Sequence, residues 1–176
     1  MSFPPKKILA ICGSTRQVSA NLQIIKALEA LAGKAWELTL YTGLTELPYF
    51  NQDVRDEQTP QAVKDFRKAI DSADAVLICT PEYVFSLPGI LKNALEWMVS
   101  TTVFSDKPTA LITASSSGEK AHESLLLVMK TLGVKTSDDA CLWIPGVKSK
   151  LDAEGRVTDE ALTTRLKSLV AALNQL

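Results

Sequence analysis

One histidine, His122, is all that 176 residues supply, and the cysteines Cys12, Cys79 and Cys141 stand too far apart for a C-x-x-C pair. A His-based metal centre or a Ser-His-Asp triad therefore has almost no raw material, and no metal ligand set is expected. Each cysteine falls inside or beside an apolar run, so the thiols read as reduced and packed in a core. Charge of one sign is missing as well. The chain carries 19 basic against 20 acidic side chains, with no basic block longer than Lys6-Lys7, so the electrostatic footprint of a nucleic-acid binder is absent. No window approaches the roughly 20 apolar residues that a membrane-crossing helix needs. The apolar run behind the N-terminal lysines, residues 8–12, is too short for a secretory core. A cytoplasmic protein with no membrane or nucleic-acid partner is expected.

What is present is ordinary globular composition, 46% apolar and 22% charged, in a length that suits one domain with one sizeable core. Short aliphatic runs at residues 8–12, 37–41, 75–80, 109–114 and 140–144 alternate with segments of helical period, the signature of β-α units around a parallel sheet. The run Ala75-Val76-Leu77-Ile78-Cys79 is apolar throughout, as a central strand covered on both faces must be. Helical stripes are formed by Leu22, Ile25 and Leu28, by Val63, Phe66 and Ile70, and by Leu87, Ile90, Leu91, Ala94, Leu95, Met98 and Val99. A fourth helix carries residues 125–132 and stops at Gly133, and Thr158 caps a last one running to Gln175. Eight units would be needed to close a barrel of the usual kind, so five predict an open doubly wound α/β sheet with helices on both faces. Ligands of such sheets sit beyond the carboxyl ends of the strands, where the strand order reverses.

The loop after the first strand is Gly13-Ser14-Thr15-Arg16-Gln17-Val18-Ser19-Ala20-Asn21, rich in hydroxyls and running straight into a helix. Gly13 permits a tight turn, Ser14, Thr15, Ser19 and Asn21 offer hydrogen bonds, the helix start offers free N–H groups, and Arg16 offers a positive charge. That set suits a phosphate, although an ordinary capped helix start has the same residue types. The loop matches neither G-x-x-x-x-G-K-[ST] nor G-x-G-x-x-G. After the third strand, Pro81, Tyr83 and Phe85 offer flat apolar contact to a ring. After the fourth, Ser115-Ser116-Ser117-Gly118 brings N–H groups that could meet negative charge developing on a reduced ring. His122 follows closely and reads as a solvated helix residue.

Three segments resemble the NADPH-dependent FMN reductase family, whose quinone, chromate and azo-dye reductases are flavodoxin-like. They are Gly13-Ser14-x-Arg16-x-x-Ser19-x-Asn21, then Leu47-Pro48-Tyr49-Phe50-Asn51-Gln52-Asp53, and then Pro81-Glu82-Tyr83 with Ser86, Pro88-Gly89, Leu91-Lys92-Asn93-Ala94 and Trp97. The resemblance runs over residues 8 to about 132. It implies strand order 2-1-3-4-5, FMN phosphate binding by Ser14, Arg16, Ser19 and Asn21, and ring contacts by Pro81, Glu82, Tyr83 and Val84. It implies NADPH or NADH as donor and a small acceptor such as a quinone, a free flavin, an azo compound or a metal oxyanion. The hydride chemistry then belongs to FMN, with no catalytic side chain. It also implies a homodimer or homotetramer, in which the third helix and Trp97 gain a partner to pack against. Two positions depart from the family pattern. Its Asn after the tyrosine is Val84, and its paired glycines after the Ser-x-Gly turn are Lys120 and Ala121, which would set side chains where a cofactor approaches. A non-catalytic FMN carrier and a flavin-free regulatory module remain as alternatives.

Overall fold

The computed structural model describes residues 4–16 and 18–176. Its sheet is built from β1 (Lys6–Cys12), β2 (Trp36–Tyr41), β3 (Ala75–Thr80), β4 (Thr109–Ser115) and β5 (Cys141–Pro145). All pairings are parallel and the order is β2-β1-β3-β4-β5. The helices are α1 (Ala20–Ala32), α2 (Gln61–Ser72), α3 (Gly89–Glu96), α4 (Glu119–Thr131) and α5 (Glu160–Gln175). The order reverses between β1 and β3, so the loops after these strands open outward from a shared edge.

Alternation along each strand feeds two apolar layers. Ile8 and Ala10 of β1 with Leu77 and Cys79 of β3 face α1 and α5, whereas Leu9 and Ile11 with Val76 and Ile78 face α2, α3 and α4. Every residue of β3 is buried, as its unbroken apolar run predicts. All three cysteines are free thiols, and burial pushes the Cys79 thiol well above its ordinary range, followed in effect by the neighbouring Cys12.

Two helix ends differ from expectation. The third stripe stops early: α3 ends at Glu96, and Val99 is 64% exposed. Beyond it the N–H groups of Met98 and Val99 bond the carbonyls of Leu95 and Glu96, and this tighter three-residue turn rotates Val99 off the buried face. At α5 the cap is Asp159, not Thr158; the Leu162 N–H donates to its carboxylate at 2.6 Å. At α4, Gly133 sits just past the end with φ of +78° and its N–H on the Lys130 carbonyl, as a helix stop requires.

Candidate functional site

The first loop is held by backbone first. Gly13 prolongs the β1–β3 ladder through its N–H to the Cys79 carbonyl at 2.9 Å. A Cβ there would lie 2.2 Å from Thr80 Oγ1, so glycine is required for the close approach. Ser19 is the N-cap of α1: its Oγ accepts from the Asn21 N–H at 3.2 Å. The remaining amides of that first turn have no acceptor within the helix and point along the positive end of its dipole.

Ser14, Arg16 and Ser19 meet Pro81, Glu82, Tyr83 and Ser115 around a cleft of about 190 Å³. Arg16 is exposed, and among the described residues its guanidinium pairs with no carboxylate. Asn21 lies at the same cleft but is turned inward. Its Nδ2 donates to the Ala114 carbonyl at 3.2 Å and its Oδ1 accepts from the Cys79 thiol at 3.3 Å. Asn21 thus ties α1 to β3 and β4, and the role its geometry supports is to set the loop in place.

Glu82 is also committed to the protein. Its carboxylate accepts from the Gly118 N–H at 3.2 Å and the Ala121 N–H at 3.0 Å. Gly118 is the N-cap residue of α4 and brings no side-chain cap of its own, so Glu82 caps that helix from another loop. The Gly118 amide is therefore occupied and not free to meet charge on a reduced ring. Ala121 is buried in the apolar layer between the sheet and α4 and does not line the cleft, and Lys120 pairs with Glu123 at 2.9 Å.

Several expected residues lie off the cleft. Tyr83 and Ser86 exchange both backbone bonds across a two-residue turn, which carries Val84 and Phe85 outward at 96% and 76% exposure. Thr15, Ser117 and Gly118 are not among the lining residues; the Ser117 carbonyl instead takes the Trp143 indole N–H at 2.6 Å. His122 is half-buried, with Nδ1 3.2 Å from Thr113 Oγ1, and so is not the solvated residue expected. Trp97 is buried within its own chain. Its indole N–H and the Asn93 amide both donate to the Pro48 carbonyl, and its ring meets Phe50 edge-on at 5.3 Å. It has no face left for a second subunit.

Sequence reasoning missed Val147 and Lys148, which also line the cleft with Ser116 of the loop after β4. Lys148 follows β5 on the same sheet edge, a position that strand order alone could have flagged.

The open sheet, the reversal between β1 and β3 and a polar cleft at the helix N-terminus define a flavodoxin-like protein. The match to the NADPH-dependent FMN reductase family covers residues 6–148, beyond the span over which the three motifs run. The chain is 31% identical over 172 residues to an NAD(P)H-dependent FMN reductase of Pseudomonas aeruginosa, covering 95% of this chain and 92% of that one. It is 30% identical over 184 residues to an NAD(P)H:quinone oxidoreductase of Solanum tuberosum, covering 98% and 93%. In three dimensions it matches the flavoenzyme NAD(P)H:(acceptor) oxidoreductase FerB from Paracoccus denitrificans with a TM-score of 0.81 and 28% identity, over 97% and 96% of the two chains. The chain belongs to the NADPH-dependent FMN reductase family.

Proposed function

We propose that this chain holds FMN in the cleft between the loops after β1, β3 and β4 and reduces a small acceptor, a quinone first among candidates, with NADPH or NADH as donor. The carrying observation is that Ser14, Arg16 and Ser19 at the α1 N-terminus line one cleft together with Pro81 and Tyr83. The donor set fits the group. Hydroxyls, a guanidinium that pairs with no carboxylate among the described residues and orphan helix amides match a phosphate dianion, and the Pro81 and Tyr83 side chains suit a fused ring. FMN, when bound, supplies the electron chemistry between a nicotinamide and an acceptor.

The protein's part is position. Ser19 and Asn21 fix the start of α1, Arg16 orients the phosphate, and Glu82 locks the loop after β4 against the loop after β3. Tyr83, 46% exposed, lines the cleft beside Pro81. No side chain is needed as nucleophile, in keeping with a lone histidine engaged with Thr113. The exposed apolar side chains Tyr49, Val84 and Phe85 support a homodimer or homotetramer assembled beside the cleft. Among the described residues no helix is long and apolar enough to cross a membrane, and the free thiols support a cytoplasmic setting.

The direct test is the visible spectrum of the purified protein before and after NADPH: flavin bands that bleach, and return with a quinone, are expected. Arg16→Ala should weaken FMN retention by about 1–3 kcal/mol, the range for hydrogen bonds to charged groups, while leaving riboflavin binding nearly unchanged. Flavin content after dialysis equal to wild type would count against the phosphate assignment.

A further inference from the structure

Three hollows lie end to end beside α1. The cleft of about 190 Å³ shares Arg16, Ser19, Ala20 and Lys148 with a second hollow of about 290 Å³. That one shares Gln23, Glu154 and Gly155 with a third of about 510 Å³. The facing wall is the turn closed by the Leu151–Val157 bridge, with α5 beyond it. Gly155 lets this wall come close to α1, since a Cβ on it would lie 2.6 Å from Gln23 Cδ. An FMN whose phosphate ends at Arg16 uses the first hollow and leaves the other two unaccounted for.

Their chemistry differs from one to the next. The middle hollow is cationic in effect. Its acids Asp152 and Glu154 are both held by Arg156, at 2.7 and 3.1 Å. Arg16 and Lys148 on the same hollow pair with no carboxylate among the described residues, nor does Lys26 on the next. The third hollow has an apolar floor of Ala27, Ala30, Val157 and Leu166, with Gln23 and Thr163 at its edge, and its size falls in the ordinary range for a small-molecule site.

We infer that this groove is a site for an adenosine diphosphate moiety, its phosphates in the middle hollow at Lys148 and its adenine in the hollow floored by Ala30 and Leu166. The inference rests on the FMN reading, because it takes the phosphate end of the cleft as its starting point. Two molecules bring this moiety with them: the nicotinamide donor and a flavin in dinucleotide form. Lys148 acts as a point charge on a flexible stem, so binding should weaken with added salt.

The test is calorimetric titration of ADP into the full-length, FMN-loaded protein, with wild type, Ala30→Trp and Lys148→Glu compared. Ala30 is exposed on α1, so tryptophan there fills the third hollow without entering the core. Saturable binding to wild type is expected, weakened about tenfold or more by either substitution, with the FMN content of Ala30→Trp unchanged. A raised KM for the nicotinamide in Ala30→Trp at unchanged kcat assigns the moiety to the donor. A loss of FAD affinity with FMN affinity kept, measured on flavin-stripped protein, assigns it to a dinucleotide flavin. ADP that fails to bind, or binds all three proteins alike, overturns the inference. A chain that takes ADP but no FMN overturns the reading of the cleft and leaves the groove standing.

Discussion

Val84 and Phe85 occupy the two central positions of the turn after β3 with φ of +51° and +56°, a geometry that asparagine and glycine adopt readily and β-branched residues resist. With Val84 96% exposed, little burial offsets the strain. Val84→Asn should therefore raise the unfolding free energy by about 1 kcal/mol, within the cost of a left-handed L-residue, and urea denaturation will show it as a higher midpoint at unchanged slope. His122 supplies a different signal. Burial first, and Arg165 second, hold its pKa below the ordinary value of 6.5. As pH falls through 6.5, the unfolded chain takes up the proton before the folded one, so stability declines from there and levels off once pH passes below the folded value. In His122→Gln the decline over that window should be smaller than in wild type; identical pH curves for the two proteins would rule out this coupling.

At the scale of elements, the cap on α4 comes from a residue 36 positions away in sequence, Glu82. Losing a helix cap costs typically about 1 kcal/mol, within a range of about 0.5–2. Glu82→Ala should lower stability by that amount and speed hydrogen exchange at the amides of Gly118 and Ala121, which NMR resolves individually. Glu82→Gln keeps one acceptor oxygen and should lose less. Unchanged exchange at both amides in Glu82→Ala would rule out the cap. This link explains what the sequence could not disclose. Strand runs and helical stripes are short-range patterns, and they located β3 to the residue. Whether Asn21, Glu82 and Ala121 turn toward a ligand or into the protein depends on Ala114, Gly118 and Cys79, brought near only by folding. Trp97 misleads for the same reason: the loop around Pro48 covers it.

At the scale of the molecule, the sheet order makes the cleft a property of nearly the whole chain. Its lining runs from Ser14 to Lys148 and includes residues after β1, β3, β4 and β5. Alternating β and α segments were enough to foresee an open parallel sheet, and the family resemblance supplied the order that puts the switch between β1 and β3. The contribution after β5 was passed over because Val147 and Lys148 carry no motif, although strand order places them at that edge. A site assembled from four separate strand ends disappears when the sheet opens, so FMN should bind the folded state alone. Linkage then sets the size of the effect: at a free FMN concentration one hundred times its Kd, the unfolding free energy should rise by about 2.7 kcal/mol. The denaturation slope should stay the same, because the surface exposed on unfolding is little altered. Riboflavin at equal concentration should raise stability less, since it leaves Arg16 and the α1 amides without their anion, and in Arg16→Ala the gap between the two flavins should narrow. Denaturation of flavin-stripped protein with each ligand reads all of this directly; equal stabilisation by FMN and riboflavin in wild type would mean that the loop from Gly13 to Asn21 does not hold the phosphate.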